Sequence, residues 1–250
     1  MRLLAGLLPL LALSQHAPPS DQSAPAILER IGRTAISYTE QLQDFTCRQT
    51  TVRTAAKTSS PGKWKPVDTQ ENELNFVGHK EHYRLLKVNG SADHPETRVS
   101  KNYTRTSGEF GSLMRSVFRP ESRAKFEWRS RDGNVCAFNY EILVANSTMA
   151  MTNGKKRIPL AFGGTVYANC ETGKITRINA VSRDTAGEEG LSADVYYGPT
   201  KIGDREFFLP TRAENTSRHG STITKAEIKF SNYRKYDAST TLKFDEVDPK

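Results

Sequence analysis

The stretch that decides the fold is Gly108–Ile142, GEFGSLMRSVFRPESRAKFEWRSRDGNVCAFNYEI, with its continuation Phe162–Ile178, FGGTVYANCETGKITRI. Its hydrophobic period changes along its length. Phe110, Leu113, Met114 and Val117 recur at helical spacing, with Gly108 before them and Pro120 as a stop, so a short helix is expected. From Arg123 to Arg131 the period becomes two, placing Ala124, Phe126 and Trp128 on one face. Asp132-Gly133 then marks a hairpin, because a two-residue turn needs residues that tolerate positive φ. The return strand puts Cys136, Phe138, Tyr140 and Ile142 on one side. Gly163–Cys170 and Lys174–Val181 flank a second turn at Glu171-Thr172-Gly173. Helix, hairpin, loop, hairpin is the plan of an antiparallel sheet with one apolar face.

The same logic extends in both directions. Ile27, Leu28, Ile31, Ala35, Tyr38 and Leu42 form one stripe, predicting a helix over Ala24–Gln43 with Ser23 as cap and Pro25 in its first turn. Asp44–Thr54 turns to strand composition, and Ala55–Pro66 reads as a loop holding the isolated Trp64. Val67–Val77 and His79–Val88 form a hairpin around Gly78, and Asn89–Tyr103 is a polar loop. Asn146–Arg157 and Arg183–Ser192 also read as loops, and Asp194–Gly198 as a short strand. Lys201–Asn215 contains Pro210, which suits an edge or a bulge. Thr222–Tyr236 is a long last strand with Thr224, Ala226, Ile228 and Phe230 facing one way. The sum is one long helix, one short helix and about ten strands joined by hairpin-length turns. The expected fold is mainly β (α+β): a single antiparallel, strongly curved sheet or unclosed β-barrel packed against the N-terminal helix and the short second helix.

Residues 1–14 have the form of a secretory signal: Arg2, the apolar run Leu3–Leu13, then small residues, with cleavage expected between Ser14 and Gln15 or, alternatively, after Ala17. The run is too short to span a bilayer, which needs roughly 20 residues. Residues 15–23 are a flexible leader, 24–245 a single domain and 246–250 a tail. Export places the chain in the periplasm or outside the cell and away from nucleic acid. The net charge is +8 over 250 residues, and loss of Arg2 lowers it by one. Such an excess suits an anionic envelope component, but the cations are scattered and no run exceeds Lys155-Lys156-Arg157, so a solvated basic surface is expected. Three cysteines in an oxidising compartment imply one disulfide and one buried thiol; Cys136 and Cys170, on strands able to pair, are the expected bridge, and Cys47 could replace either.

Chemistry-bearing patterns are few. His79-Lys80-Glu81-His82 has two imidazoles three apart, which on a strand point to opposite faces, and a third ligand is missing, so no metal site is expected. His94 and His219 read as surface residues. No nucleophile elbow, phosphate loop or dinucleotide fingerprint occurs. Gly108-Glu109-Phe110-Gly111 is too short to cradle phosphate, Glu188 and Glu189 fall in a loop, and each cysteine has strand neighbours that imply burial. The expectation is a protein without catalysis and without a cofactor.

The layout resembles the lipoprotein-carrier (LolA/LolB-like) superfamily of exported bacterial proteins. The residues that carry the resemblance are the N-terminal helix leading into Phe45-Thr46-Cys47, the Gly108–Gly111 helix start, the Phe-rich central hairpins and the segment Gly198-Pro199…Ile202-Gly203…Leu209-Pro210. A further resemblance is to exported proteins of acidobacterial type for which no activity is established. What the resemblance implies is an unclosed barrel around a helix, with an apolar cavity for acyl chains. Its lining here would be Phe126, Trp128, Phe138, Tyr140, Ile228 and Phe230, and its ligand a lipid or another apolar molecule. The competing expectation is an envelope interaction module with a filled core, working through its basic face or a sheet edge. Sequons at Asn89, Asn102, Asn146 and Asn215 are expected to be chance occurrences in a bacterial chain.

Overall fold

The computed structural model describes residues 22–99, 109–153, 156–183 and 189–237. The expected signal segment with its Ser14–Gln15 cleavage point, most of the leader, Asn102, Gly108, Glu188 and the C-terminal tail lie outside the described residues. Helix α1 (Ala24–Gln41) begins at Ser23 with Pro25 in its first turn. Ile27, Ile31 and Ala35 are at most 1% exposed, so the stripe written in the sequence is the buried one. The helix stops two residues before the expected end. Leu42 is already extended, which turns its side chain into the core ahead of the first strand.

Strands β1 (Phe45–Lys57), β2 (Lys65–Val77) and β3 (Lys80–Val88) form a first meander, followed by the one-turn helix α2 (Pro95–Arg98) and by α3 (Ser112–Phe118). β4 (Lys125–Asp132) and β5 (Val135–Ile142) form the central hairpin, and β6 (Ala150–Asn153) and β7 (Lys156–Pro159) a separate small one. β8 (Phe162–Asn169), β9 (Ile175–Arg183), β10 (Glu189–Ile202), β11 (Arg205–His219) and β12 (Thr222–Lys235) complete the chain. Ten strands make one unclosed antiparallel sheet in the order β3-β2-β1-β12-β11-β10-β9-β8-β5-β4.

Two joins depart from a simple meander. β1 lies between β2 and β12, with Thr50 opposite both Glu71 and Lys229, so the first and last strands meet inside the sheet. β5 pairs with β8 because the β6–β7 hairpin is looped out between them. That hairpin corrects the loop expected over Asn146–Arg157: Met151 pairs with Ile158 although the segment is mostly polar. The expected short strand Asp194–Gly198 is the middle of the longer β10, and β9 and β10 reach to Arg183 and Glu189, into the segment read as a loop. The central turn is shifted by one residue. Asp132 pairs with Val135, so the turn residues are Gly133, with φ 52°, and Asn134. Pro210 sits at a bulge, where the register against β10 slips between Tyr196 and Tyr197.

The apolar faces of the sheet, α1 and α3 close on one continuous core. Phe45, Phe76, Phe110 and Phe230 form its aromatic end, with ring centroids 5.1–5.2 Å apart along the series Phe76, Phe45, Phe110, Phe230. At the other side, the Cys136–Cys170 disulfide ties β5 to the end of β8. The following turn is fastened to α1: Arg30 donates to the Cys170 carbonyl and Thr34 to that of Thr172. Gly173, at φ +71°, lies so near that a Cβ there would meet the Arg30 carbonyl at 2.7 Å. β8 has a comparable constraint. Tyr140 stands opposite Gly164 and donates across it to the Asn179 carbonyl of β9 at 2.8 Å, and a Cβ on Gly164 would fall 2.0 Å from that oxygen.

Candidate functional site

α3 has two stripes. Met114 and Val117 are buried, which fixes the helix on the sheet. The other stripe is Ser112, Arg115, Ser116 and Arg119, at the i, i+3, i+4, i+7 spacing that shares a helix face. It faces the β2–β3 turn, where Gly78 and His79 both have positive φ, 56° and 61°. Two such residues are what a tight turn matched to strand twist requires, and Asp44 anchors it by accepting from the Gly78 N–H at 3.0 Å. The turn sets the His79 ring perpendicular to Phe76, with centroids 6.2 Å apart.

Between turn and helix lies a cleft of about 200 Å³, lined by Phe76, His79, Phe110, Ser112, Arg115, Ser116, Arg119 and Thr148. Its floor is apolar, since Phe76 and Phe110 are also members of the core cluster. Its rim is cationic and hydroxylic. Thr148 donates to Ser116 Oγ at 2.8 Å, and Ser116 donates to the Ser112 carbonyl at 2.8 Å. Arg119 Nη2 donates to the Asn146 carbonyl at 3.2 Å, while its Nε is buried without an acceptor among the described residues. A second, smaller cavity of about 30 Å³ lies between α1 and the sheet beside Ala35, Tyr38, Met114 and Ile175. The buried Tyr38 hydroxyl has no hydrogen-bond partner among the described residues.

On the backbone side of Phe110 is a pair of carboxyls. Glu81 Oε1 accepts the Phe110 N–H at 3.2 Å, and its Oε2 accepts the Tyr83 hydroxyl at 2.6 Å. Glu109 is 3% exposed; Asn215 donates to its Oε1 at 3.4 Å, and its Oε2 has no partner among the described residues. Tyr197 donates to the Glu109 carbonyl at 2.8 Å. Burial, and then the Glu81 carboxylate, push the Glu109 carboxyl up to about 7, against weaker pulls from its own backbone N–H, Asn215 and Tyr83. Burial, followed by Glu81, also pushes the Cys47 thiol up to about 12, with Tyr233 pulling the other way. A thiol held protonated is the reverse of an activated nucleophile. A second buried polar group lies further along the same face of β1 and β2. Arg53 Nε donates to Asp68 Oδ1 at 2.7 Å, with Gln70 3.3 Å from both carboxylate oxygens.

The six residues expected to line a cavity fall into two groups. Phe126, Trp128, Phe138 and Tyr140 stand on the β4–β5 hairpin at one edge: Phe126 stacks on Phe118, and Trp128 meets Phe138 edge-on at 5.2 Å while remaining 43% exposed. Ile228 and Phe230 stand on β12, where Phe230 meets Phe110 edge-on at 5.1 Å. Phe110 therefore connects the second group to the cleft. Of His79-Lys80-Glu81-His82, only Glu81 joins the buried cluster; the described residues contain no group of three or more potential metal ligands. Asn215, a sequon asparagine, is 5% exposed and bound to Glu109. Part of the positive balance is spent in pairs on the outer sheet face, where Arg177 lies 4.9 Å from the Tyr196 ring and donates Nε to Asp194 at 2.8 Å.

No family model and no curated protein matches the chain. Among solved structures it is similar to a LolA superfamily protein from Nitrosomonas europaea, at 12% identity over 90% of this chain and 99% of that one, with TM-score 0.37. It is similar also to a DUF1329 family protein from Desulfovibrio piger, at 10% identity over 84% and 93%, with TM-score 0.37. A third is a domain from Vibrio parahaemolyticus described as an outer membrane lipoprotein-sorting protein, at 10% identity over 82% and 90%, with TM-score 0.39. Likeness at this level carries neither a site nor a function across. Among the described residues, no helix is long and apolar enough to cross a membrane.

Proposed function

We propose that this chain is an exported, non-catalytic binding or carrier module for an apolar, lipid-type ligand, which it engages at the cleft beside α3. The observation that carries the proposal is the double membership of Phe76 and Phe110, which line the cleft and belong to the core. An apolar segment entering the cleft would therefore meet a surface continuous with the interior of the protein. The cleft, at about 200 Å³, is smaller than the roughly 300–1,000 Å³ of a pocket that encloses a whole ligand, so it would take one end of one. The Cys136–Cys170 disulfide supports export to an oxidising compartment, periplasmic or extracellular. The protonated Cys47 thiol supports binding over thiol catalysis.

Organic extraction of the purified secreted chain followed by mass spectrometry tests this. The expected result is an acyl-bearing amphiphile at a near-constant ratio to protein. A second reading, an envelope interaction module, is favoured by Trp128, an aromatic 43% exposed on the edge strand β4. Lipid-free protein whose association with envelope fragments is abolished by salt would establish that reading and reject the first.

A further inference from the structure

We propose that the proton on Glu109 holds α3 against the sheet, and that its loss releases the helix and with it the Phe110 floor of the cleft. The switch stands on the packing of the chain itself; its consequence for a ligand rests on the carrier reading above. Glu109 is 3% exposed, and its Oε2 has no hydrogen-bond partner among the described residues. Three strands bring groups to face it. β3 supplies the Glu81 carboxylate and the Tyr83 phenol, β10 the Tyr197 phenol and β11 the Asn215 amide. Behind these stand Cys47 of β1, Tyr38 of α1 and Tyr233 of β12. Burial is the largest influence on the four phenols and on the thiol, and it pushes each of them up, so they keep their protons through neutral pH. Across Phe110, the cleft is lined by Arg115, Arg119 and His79. Glu109 itself feels burial first and the Glu81 carboxylate second, and both favour its neutral form.

The helix is the part able to respond. α3 is docked by the buried side chains of Phe110, Met114 and Val117, by the Phe110 N–H on Glu81 and by the Tyr197 hydroxyl on the Glu109 carbonyl. An ionised Glu109 regains water by leaving the core with Phe110 beside it, and the ten-stranded sheet need not part for this to happen. The sign follows from the raised value. Docking is fully favoured below pH 4.5, weakens as pH rises, and has lost this contribution above about 7. Undocking frees the face of Phe110 now packed in the core, so a lipid-type ligand in the cleft gains apolar surface as pH rises.

Hydrogen exchange of the full secreted chain at about pH 5 and about pH 8.5, corrected for intrinsic rates and read over residues 109–119, tests the switch without any ligand. The expected result is an opening equilibrium roughly 50–100-fold larger at the higher pH, the ratio set by values of about 7 docked and 4.5 free. The α3 amides should exchange ahead of those of β10 and β11 at both pH values. Glu109→Gln should abolish the rise. Should that variant fail to fold, Glu81→Gln decides, since loss of the neighbouring carboxylate should shrink the rise. A rise of equal size in wild type and Glu109→Gln, or α3 exchanging in step with β10 and β11, overturns the switch. Titration with the apolar probe N-phenyl-1-naphthylamine then reads the cleft: its affinity should increase with pH in the wild type and not in Glu109→Gln. Exchange that rises while the affinity stays constant overturns control of the cleft. Exchange that rises with no probe binding at either pH supports the switch and rejects the carrier reading. Probe binding with exchange flat in pH overturns the switch and leaves the carrier reading standing.

Discussion

Replacing Glu109 by Gln should remove a large part of the pH dependence of stability, and the size of the effect follows from the site. The carboxyl is 3% exposed, faces the Glu81 carboxylate and has one oxygen without a partner among the described residues. Its folded-state value of about 7, against 4.5 for the free side chain, corresponds to about 3 kcal/mol at roughly 1.4 kcal/mol per unit. Because the folded value is raised, the stabilisation is fully present below pH 4.5, is lost as pH rises, and is gone above about 7. Glutamine keeps the oxygen to which Asn215 donates and cannot ionise, so it should fold and should not lose this increment. The assay is urea unfolding of both proteins at roughly pH 4 and pH 9. The wild type should lose about 3 kcal/mol more than the variant between the two, and Glu81→Gln should shrink the loss by removing the neighbouring charge. Parallel pH profiles for wild type and Glu109→Gln would refute the assignment of a neutral, buried Glu109.

Three further outcomes follow from the packing. Replacing both Cys136 and Cys170 by Ser should cost roughly 3–4 kcal/mol from loop-closure entropy over a separation of 34 residues, read as a lowered urea midpoint; an unchanged midpoint would show that the bridge constrains nothing. Cys47, 2% exposed with its thiol pushed up to about 12, should not react with a thiol reagent at pH 8 in the native protein and should give one equivalent after unfolding without reductant. Gly164→Ala places a carbon 2.0 Å from the Asn179 carbonyl and should cost about 3 kcal/mol, a fall of roughly 6–12 °C in Tm; a fall under about 2 °C would mean that β9 yields.

Much of the fold was legible because alternation is a local property. Phe138, Tyr140 and Ile142 are buried on the face that their spacing assigned, and so are Ile27, Ile31 and Ala35 of α1. The β1–β12 join was not legible, since nothing in Thr50 or Lys229 records that they will lie opposite each other. The small β6–β7 hairpin was missed because its segment is polar and short, and a pairing outside the main sheet leaves no apolar period. Arg53 and Asp68 could have been found. They occupy the inward parity of β1 and β2, shared with Phe45 and Leu74, and opposite charges on the buried face of neighbouring strands are a signal in their own right. Glu109 left no such trace, because it precedes α3 outside any periodic element and is buried only by tertiary packing.

The cleft itself shows why a site can be hidden while its scaffold is plain. The apolar stripe of α3 was readable as Phe110, Leu113, Met114 and Val117, and its complement, Ser112, Arg115, Ser116 and Arg119, has the composition of any solvated helix face. What makes that face one wall of a cleft is the turn opposite it, at residues 78 and 79, more than thirty positions earlier in the chain. Neither element is unusual alone. Together they bring Arg115, Arg119 and His79 to one cleft with Phe76 and Phe110, which also belong to the core. The sheet serves as the frame that sets this distance, and α3 carries the arginine and serine side of the cleft. Because the cleft's floor is also the core's edge, Phe110 serves both. Its ring closes the aromatic cluster, its N–H is held by Glu81 and its neighbour Glu109 is sealed behind it, so the floor is fixed from three sides before any ligand arrives.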